Sequence, residues 1–206
     1  MTGYRGKRAF DLALVFLGAV LWVPLVILLI VLVRIRLGAP ALYRQERAGL
    51  GGRIFRILKL RTMTNTCDAA GNLLPDEQRL TAFGRALRAA SLDELPELLN
   101  VIRGDMSLVG PRPLFASYLT LYSARHFRRH DVRPGLTGLA QVRGRNALTW
   151  PERFEHDLAY VERCSLALDL EILYLTLRTV VSGRGVSAEG MATMSPFTGY
   201  ESQPPR

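Results

Sequence analysis

Two adjacent carboxylates, Asp93 and Glu94, stand just ahead of Pro96 in the run Ser91-Leu-Asp-Glu-Leu-Pro-Glu-Leu-Leu-Asn100. A proline is tolerated only near a helix start, because its ring clashes with the carbonyl four residues back. A helix from about Asp93 to Arg103, with Asp93 as its N-cap, leaves that carbonyl on Leu92, outside the helix. At such a start the free N–H groups and the dipole keep a carboxylate ionised and favour bound phosphate. An ionised aspartate there can attack phosphorus and form an aspartyl-phosphate ester. Glu94 beside it can hold Mg²⁺, a hard cation that takes carboxylate and phosphate oxygens. Acidic residues are also ordinary helix caps, so the pair alone decides nothing.

The cations around it add weight. Arg112 lies between two prolines in Gly104-Asp-Met-Ser-Leu-Val-Gly-Pro-Arg-Pro113, on a stiff backbone that suits a fork meeting phosphate oxygens at fixed geometry. Lys59 and Arg61 end a predicted hairpin, Arg88 precedes the acidic pair, and Arg143 and Arg145 sit in Gln141-Val-Arg-Gly-Arg-Asn146. Lys59, Arg88, Arg112 and Arg145 are the candidate phosphate binders. A solvated basic face would have the same composition.

The elements that must position these groups begin with an unbroken apolar run, Leu12 to Val33, about the length a membrane helix needs. Arg34 and Arg36 follow it where a signal peptide would have small residues. Pro24 near its middle should bend it, and both flanks are basic, with Arg5, Lys7 and Arg8 before and Arg34, Arg36, Arg44 and Arg47 after. Symmetric positive flanks suit a re-entrant helix with both ends on the cytoplasmic side. Segments 41–45 and 53–58 flank Gly49-Leu-Gly-Gly52 and read as a β-hairpin. Residues 64–78 read as a loop, and Leu80, Phe83, Gly84 and Leu87 as an amphipathic helix with a cationic face. Further helices are expected over 114–129, 151–163 and 167–181.

The formal charge of +9 calls for anionic partners, and 49% of the residues are apolar. A membrane-tethered basic protein that binds anionic lipid or nucleic acid would explain the charge, but no helix-turn-helix, zinc spacing or aromatic single-strand platform is present. Cys67 and Cys164 are far apart and read as reduced thiols. His126, His130 and His156 lack metal-ligand spacing and read as surface residues.

Leu60-Arg-Thr-Met63, Ser91-Leu-Asp-Glu-Leu-Pro96, the run from Gly104 to Pro113, and Pro134-Gly-Leu-Thr-Gly-Leu-Ala-Gln-Val142 together resemble the bacterial sugar transferase family. These are the monotopic phosphoglycosyl transferases that start glycan assembly on polyprenyl phosphate. The resemblance covers about Lys7 to Tyr200. It implies a compact α/β fold with a β-hairpin, an N-terminal re-entrant membrane helix and membrane-surface amphipathic helices. It implies a membrane-inserted part, 1–36, and a cytosol-facing catalytic part, 37–206, on the cytoplasmic face of the bacterial inner membrane. It implies a Mg²⁺-dependent ping-pong reaction between a UDP-sugar and polyprenyl (undecaprenyl) phosphate that releases UMP, with no nucleic-acid partner. By position Asp93 matches the nucleophile, Glu94 the metal-binding partner and Arg112 the phosphate-binding arginine. Glu189-Gly-Met-Ala-Thr-Met194 with Phe197 and Gly199 resembles the tail of enzymes that use UDP-N,N'-diacetylbacillosamine. One departure is Val23-Pro24, where the family often has Ser-Pro, so no serine is there to satisfy carbonyls freed by the bend.

Overall fold

Gly18 divides the long apolar run into two helices, α1 (Lys7–Leu17) and α2 (Ala19–Leu37). Helix α2 continues through Pro24, and the break between the two helices lies six residues earlier, at Gly18. Glycine is the weakest helix former after proline, and the Trp22 indole N–H donates to the Val15 carbonyl across the break at 2.9 Å. A tryptophan thus supplies the side-chain partner that the missing serine could have given. Helix α2 has a mean hydropathy of 2.5 over its apolar window, and only 17% of that window is buried. A helix apolar on all faces and not enclosed by protein belongs in lipid, so α2 is a membrane-associated helix near the N-terminus. The computed structural model describes residues 3–144, 148–182 and 196–200.

Both ends of this apolar pair are tied to the rest of the molecule. At the start of α1, Lys7 is buried against Asp169, with Nζ to Oδ2 at 2.6 Å. The Tyr4 hydroxyl donates to the same oxygen and Tyr160 donates to Oδ1 at 2.7 Å. Asp11, one turn on, accepts from the Ser107 hydroxyl at 2.7 Å. At the far end, the Arg61 guanidinium donates to the carbonyls of Leu37, Gly38 and Ala39, capping α2. Arg61 is therefore a helix cap, which removes it from the cations free to meet phosphate.

The hairpin forms as the sequence predicts, each strand beginning one residue later and ending two or three residues later than expected. Strands β1 (Leu42–Ala48) and β2 (Ile54–Leu60) pair antiparallel, with Tyr43 opposite Lys59 and Arg47 opposite Phe55. The polar stretch after β2 is a loop held by bridges at Met63–Leu80 and Cys67–Leu73, with one helical turn, α3 (Asp76–Arg79). Helix α4 (Ala82–Ala89) starts at Thr81, whose hydroxyl accepts from Gly84 N–H. A Cβ on Gly84 would lie 1.9 Å from the Thr62 carbonyl oxygen, so only glycine lets α4 lie directly on the chain leaving β2.

The acidic segment is a 3₁₀ turn, Leu92–Glu97, running into α5 (Leu98–Arg103). Strand β3 (Ser107–Val109) follows. The helix expected over 114–129 is three short pieces: a 3₁₀ turn at Ala116–Thr120, α6 (Ala124–Phe127) and a 3₁₀ turn at Arg128–Asp131. Ser123 explains the restart, because its hydroxyl accepts from His126 N–H and caps a new helix inside the periodic pattern. Strand β4 (Gly135–Thr137) pairs parallel to β3, followed by α7 (Leu139–Arg143), α8 (Trp150–Arg163) and α9 (Leu166–Ser182). The last two match the sequence expectation within a residue, and a Thr149–Glu152 capping box starts α8. The whole is a mixed α/β domain.

Three apolar clusters hold it. The largest joins α1, β2, α5, β3, α8 and α9 through Val15, Ile57, Val101, Met106 and Ile172. A second seats the C-terminal half of α2, through Leu29 and Val33, on Leu60 and Leu87. The third is aromatic: Tyr118, Trp150, Phe154 and Phe197, with the Phe197 N–H donating to the Tyr118 hydroxyl at 3.0 Å. His126 and His130 belong beside this cluster and are buried, correcting the surface reading, while His156 is half-buried. His126 lies between the Tyr200 hydroxyl and Glu155, and His130 meets the Gly49 carbonyl. Polar partners at long sequence separation made these burials invisible to spacing. Cys67 and Cys164 are both free, as expected.

Asp169→Leu should cost about 3–5 kcal/mol, because it leaves the buried Lys7 ammonium only Asp11 at 3.9 Å and takes the acceptor from the Tyr4 and Tyr160 hydroxyls. The double variant Lys7→Met/Asp169→Leu should recover most of that loss. Denaturant unfolding in detergent measures both, and a single variant within about 1 kcal/mol of wild type would rule out this anchor.

Candidate active site

Asn100 sets the geometry. It is fully buried in α5, accepts from the Leu58 N–H of β2 at 3.1 Å and donates to the Arg56 carbonyl at 2.9 Å. A side-chain amide thus takes the place of a neighbouring strand on the free edge of the hairpin. Lys59, the next residue of β2, then meets the acidic turn: its ammonium is 2.6 Å from Glu94 Oε1 and 3.2 Å from Glu97 Oε1. Pro96 has no N–H for an α-helical bond, and the turn winds as 3₁₀. Its first residue follows Ser91, at φ 55, so Ser91 and not Asp93 is the cap position.

Arg112 arrives from the opposite side. Its segment is fixed where Gly110 and Gly135 cross: Gly110 N–H donates to the Thr137 carbonyl and Gly135 N–H to the Pro111 carbonyl. A Cβ on Gly135 would lie 2.1 Å from the Gly110 nitrogen, which is why both motifs carry glycine there. From this crossing the Arg112 fork reaches Glu94, with Nη2 on Oε1 and Nη1 at 3.4 Å from Oε2. Arg129 pins the Arg112 carbonyl at 2.7 Å and is itself held by Asp157 through two buried bonds of 2.9 and 2.7 Å. Arg129 and Asp157 are functional neighbours that no spacing signal marks.

Lys59, Glu94 and Arg112 line one cleft of about 510 Å³, with Tyr43, Gln45 and Arg47 of β1 along a wall. Asp93 is buried, 8% exposed, and opens on the same cleft. Arg88 also lines it and donates from Nε to the Thr62 hydroxyl at 3.0 Å. The structure therefore brings Asp93, Glu94, Lys59, Arg88 and Arg112 together. Arg143 pairs with Glu171 and does not line the cleft. Arg145 lies outside the described residues.

Burial pushes Glu94 up, but Arg112 and Lys59 hold it well below the ordinary carboxylate range. For Asp93 the balance differs. Burial first and Glu94 second raise it, against the pull of Lys59, Arg88 and Arg112. The expectation that a helix start alone keeps Asp93 ionised is thus revised, since the turn is short and the site desolvated. Glu97 is raised to about 7 by burial, against the pull of Lys59.

Residues 3–183 match the bacterial sugar transferase family. The chain belongs to that family. The family transfers a sugar phosphate to polyprenyl phosphate, and this sugar transferase shares that general activity. It is 50% identical over 194 residues to the uncharacterized sugar transferase EpsL of Bacillus subtilis, covering 94% of this chain and 96% of the relative. It is 46% identical over 186 residues to the UDP-glucose:undecaprenyl-phosphate glucose-1-phosphate transferase of Caulobacter vibrioides, covering 85% and 68%. To the UDP-N-acetylgalactosamine-undecaprenyl-phosphate N-acetylgalactosaminephosphotransferase of Aeromonas hydrophila it is 35% identical over 187 residues, covering 87% and 44%.

Glu97 provides a pH test. Its folded value, about 7, exceeds the ordinary 4.5, so the folded transferase binds the extra proton between those values. Stability contributed by that proton is full below about pH 4.5 and is lost as pH rises toward 7. Glu97→Gln should therefore gain stability relative to wild type across that interval. Chemical denaturation at several pH values measures the difference, and a pH-independent difference would discard the assignment.

Proposed function

We propose that this transferase moves a sugar 1-phosphate from a UDP-sugar to undecaprenyl phosphate or a similar polyprenyl phosphate, through a covalent phospho-sugar ester on Asp93. The observation that carries this reading is the buried Asp93-Glu94 pair in a cleft lined by Lys59, Arg88 and Arg112. A membrane-tethered binding protein has no use for such a constellation, and family membership already sets that alternative aside.

In the first half-reaction an Asp93 carboxylate oxygen attacks the sugar-bearing phosphorus in line. The bond to the bridging oxygen breaks, and its electron pair leaves with UMP. In the second half, an oxygen of the lipid phosphate attacks the same phosphorus and the Asp93 carboxylate departs. Arg112 offers its fork to the non-bridging oxygens, and Lys59 fixes Glu94 and Glu97 while adding positive charge. Arg88, on the α4 side next to the membrane-facing end of α2, suits the lipid phosphate, and Arg145 is a further phosphate ligand in this reading.

The donor set fits Mg²⁺. Glu94 Oε1 is shared by Lys59 and Arg112, but Oε2 has only the 3.4 Å contact, and Asp93 adds a second hard oxygen ligand beside it. Mg²⁺ takes one or two carboxylates and completes its shell with phosphate and water. When bound, Mg²⁺ would neutralise charge on the diphosphate oxygens.

Two anchors support the membrane arrangement. Lys7 ties the start of the apolar pair to α9, and Arg61 ties its end to the hairpin, so both ends meet one body. That supports a re-entrant segment within residues 1–36, entering and leaving on the cytoplasmic face of the inner membrane. Exposed Leu166, Leu170, Tyr174 and Leu177 on α9 fit a helix lying at the same surface. Exposed Arg34 and Arg36 would each add about 1 kcal/mol of attraction to anionic lipid.

The sugar rests on less. The named relatives use UDP-glucose and UDP-N-acetylgalactosamine. Residues 189–194, which resemble the diacetylbacillosamine enzymes, lie outside the described residues, and Phe197 is spent in the aromatic core. UDP-N-acetylhexosamines, diacetylbacillosamine included, and UDP-glucose are the donors for a UMP-release panel.

Incubated with its UDP-sugar and no lipid acceptor, the protein should gain one phospho-sugar on the peptide holding Asp93. Asp93→Asn should abolish the adduct and lower turnover by roughly three orders of magnitude or more. Near-wild-type turnover, or an adduct mapped elsewhere, would end this mechanism. For topology, a single cysteine at Thr2 in a cysteine-free background should react only with reagent on the cytoplasmic side. Labelling from the periplasm alone would mean a true span.

A further inference from the structure

The arginines of the cleft differ in what they are given to hold. Arg112 shares Glu94 with Lys59, and Arg79 has Asp76 at 2.9 Å. Arg88 faces Asp93 and spends one nitrogen on Thr62. Arg47 has no carboxylate within ion-pair reach among the described residues, and its Nε is buried without a partner. What it has is a platform. Its guanidinium sits 3.9 Å above the Phe115 ring, and one nitrogen donates to Gln45 at 2.6 Å. Phe115 is braced edge-on by Tyr118, with ring centroids 5.5 Å apart.

A half-buried guanidinium held over a ring, with a buried unmet donor on a cleft wall, is prepared for an anion that arrives from outside. Burial first and Arg112 second bring its pKa down to about 10, so it remains charged near neutral pH. Its place relative to Arg112 is fixed by backbone. The chain that leaves Arg112 runs through Leu114, whose carbonyl accepts from Ala48 N–H at 3.0 Å, and Phe115 forms a bridge with Arg47. The cations that act most on Asp93 are Lys59, Arg88 and Arg112, and Arg47 is not among them. Arg47 and Arg112 both line the cleft on which Asp93 opens, Arg47 from the β1 wall.

We propose that Arg47 binds the phosphate that leaves with the nucleotide, while Arg112 serves the phosphorus that Asp93 attacks. This assignment rests on the ping-pong reading. When the bridging P–O bond breaks, its electron pair stays on the UMP phosphate, and the stacked guanidinium meets the added negative charge there. Arg47 then acts in one half-reaction only, because no nucleotide takes part when the lipid phosphate displaces Asp93.

The test uses full-length protein in detergent. UDP binding, read by calorimetry without turnover, should weaken about 10- to 100-fold in Arg47→Gln. Formation of the Asp93 adduct should slow by a similar factor, while discharge of pre-formed adduct to polyprenyl phosphate keeps the wild-type rate. Slowing of both halves alike would mean a structural role and overturn the proposal, as would unchanged UDP affinity. If Arg47→Gln does not fold, Arg47→Lys keeps the charge and loses the fork. It should weaken UDP about 3- to 10-fold, again with normal discharge, and unchanged UDP affinity in it overturns the proposal equally. Absence of any adduct in wild type would instead count against the covalent mechanism and leave the UDP measurement to decide on Arg47.

Discussion

The amide of Asn100 determines where everything chemical can be. By satisfying one N–H and one carbonyl of β2, it fixes the distance and register between the hairpin and α5. Moving Lys59 by one residue would flip it to the other face of the hairpin, because side chains alternate along a strand. The Lys59 contacts to Glu94 and Glu97 therefore exist only in this register. An apolar residue at 100 could fill the same volume, but it would leave two buried backbone groups of β2 unsatisfied and nothing to select the register.

Charge in the cleft is arranged so that acids and bases restrain each other. Glu94 is stabilised as an anion by Arg112 and Lys59, while its own charge and the surrounding burial make ionised Asp93 less favourable. In the proposed reaction an arriving phosphate group competes with Glu94 for the Arg112 fork. The resting site is thus a set of mutually compensated charges that substrate rearranges, which avoids a desolvated surplus of one sign. Arg129 and Asp157 keep this exchange local by holding the Arg112 backbone through buried bonds, so the side chain can change partners without moving its segment.

Much of this was legible in the residues. The hairpin, α8 and α9 were readable from alternation, caps and apolar period, and the cluster of Asp93, Glu94, Lys59, Arg88 and Arg112 from motif order. What escaped was set by contacts distant in sequence or by competition within a turn. Pro96 pointed to a helix start near Asp93, but the lack of an N–H produced a 3₁₀ turn with Ser91 at the cap position. Ser123 broke a helix whose apolar spacing continued through it. Gly18, with Trp22 as local support, broke the membrane segment ahead of the proline. Arg129 and Asp157 are 28 residues apart, and nothing local distinguishes them from neighbouring surface charges.

The aromatic relay places a clock in the fold. Phe197 steadies Tyr118, Tyr118 braces Phe115, and Phe115 carries the guanidinium on the cleft wall. Residue 197 is made 160 positions after Leu37, the last residue of the membrane-associated helix α2. At about 5–20 residues per second, that separation is roughly 8 to 30 seconds of synthesis. During that interval the ribosome-bound chain can already be seated in lipid while its cleft wall lacks its support. Lipid anchoring can thus precede completion of the cleft wall, in which case an unfinished chain reaches the bilayer before its site is assembled.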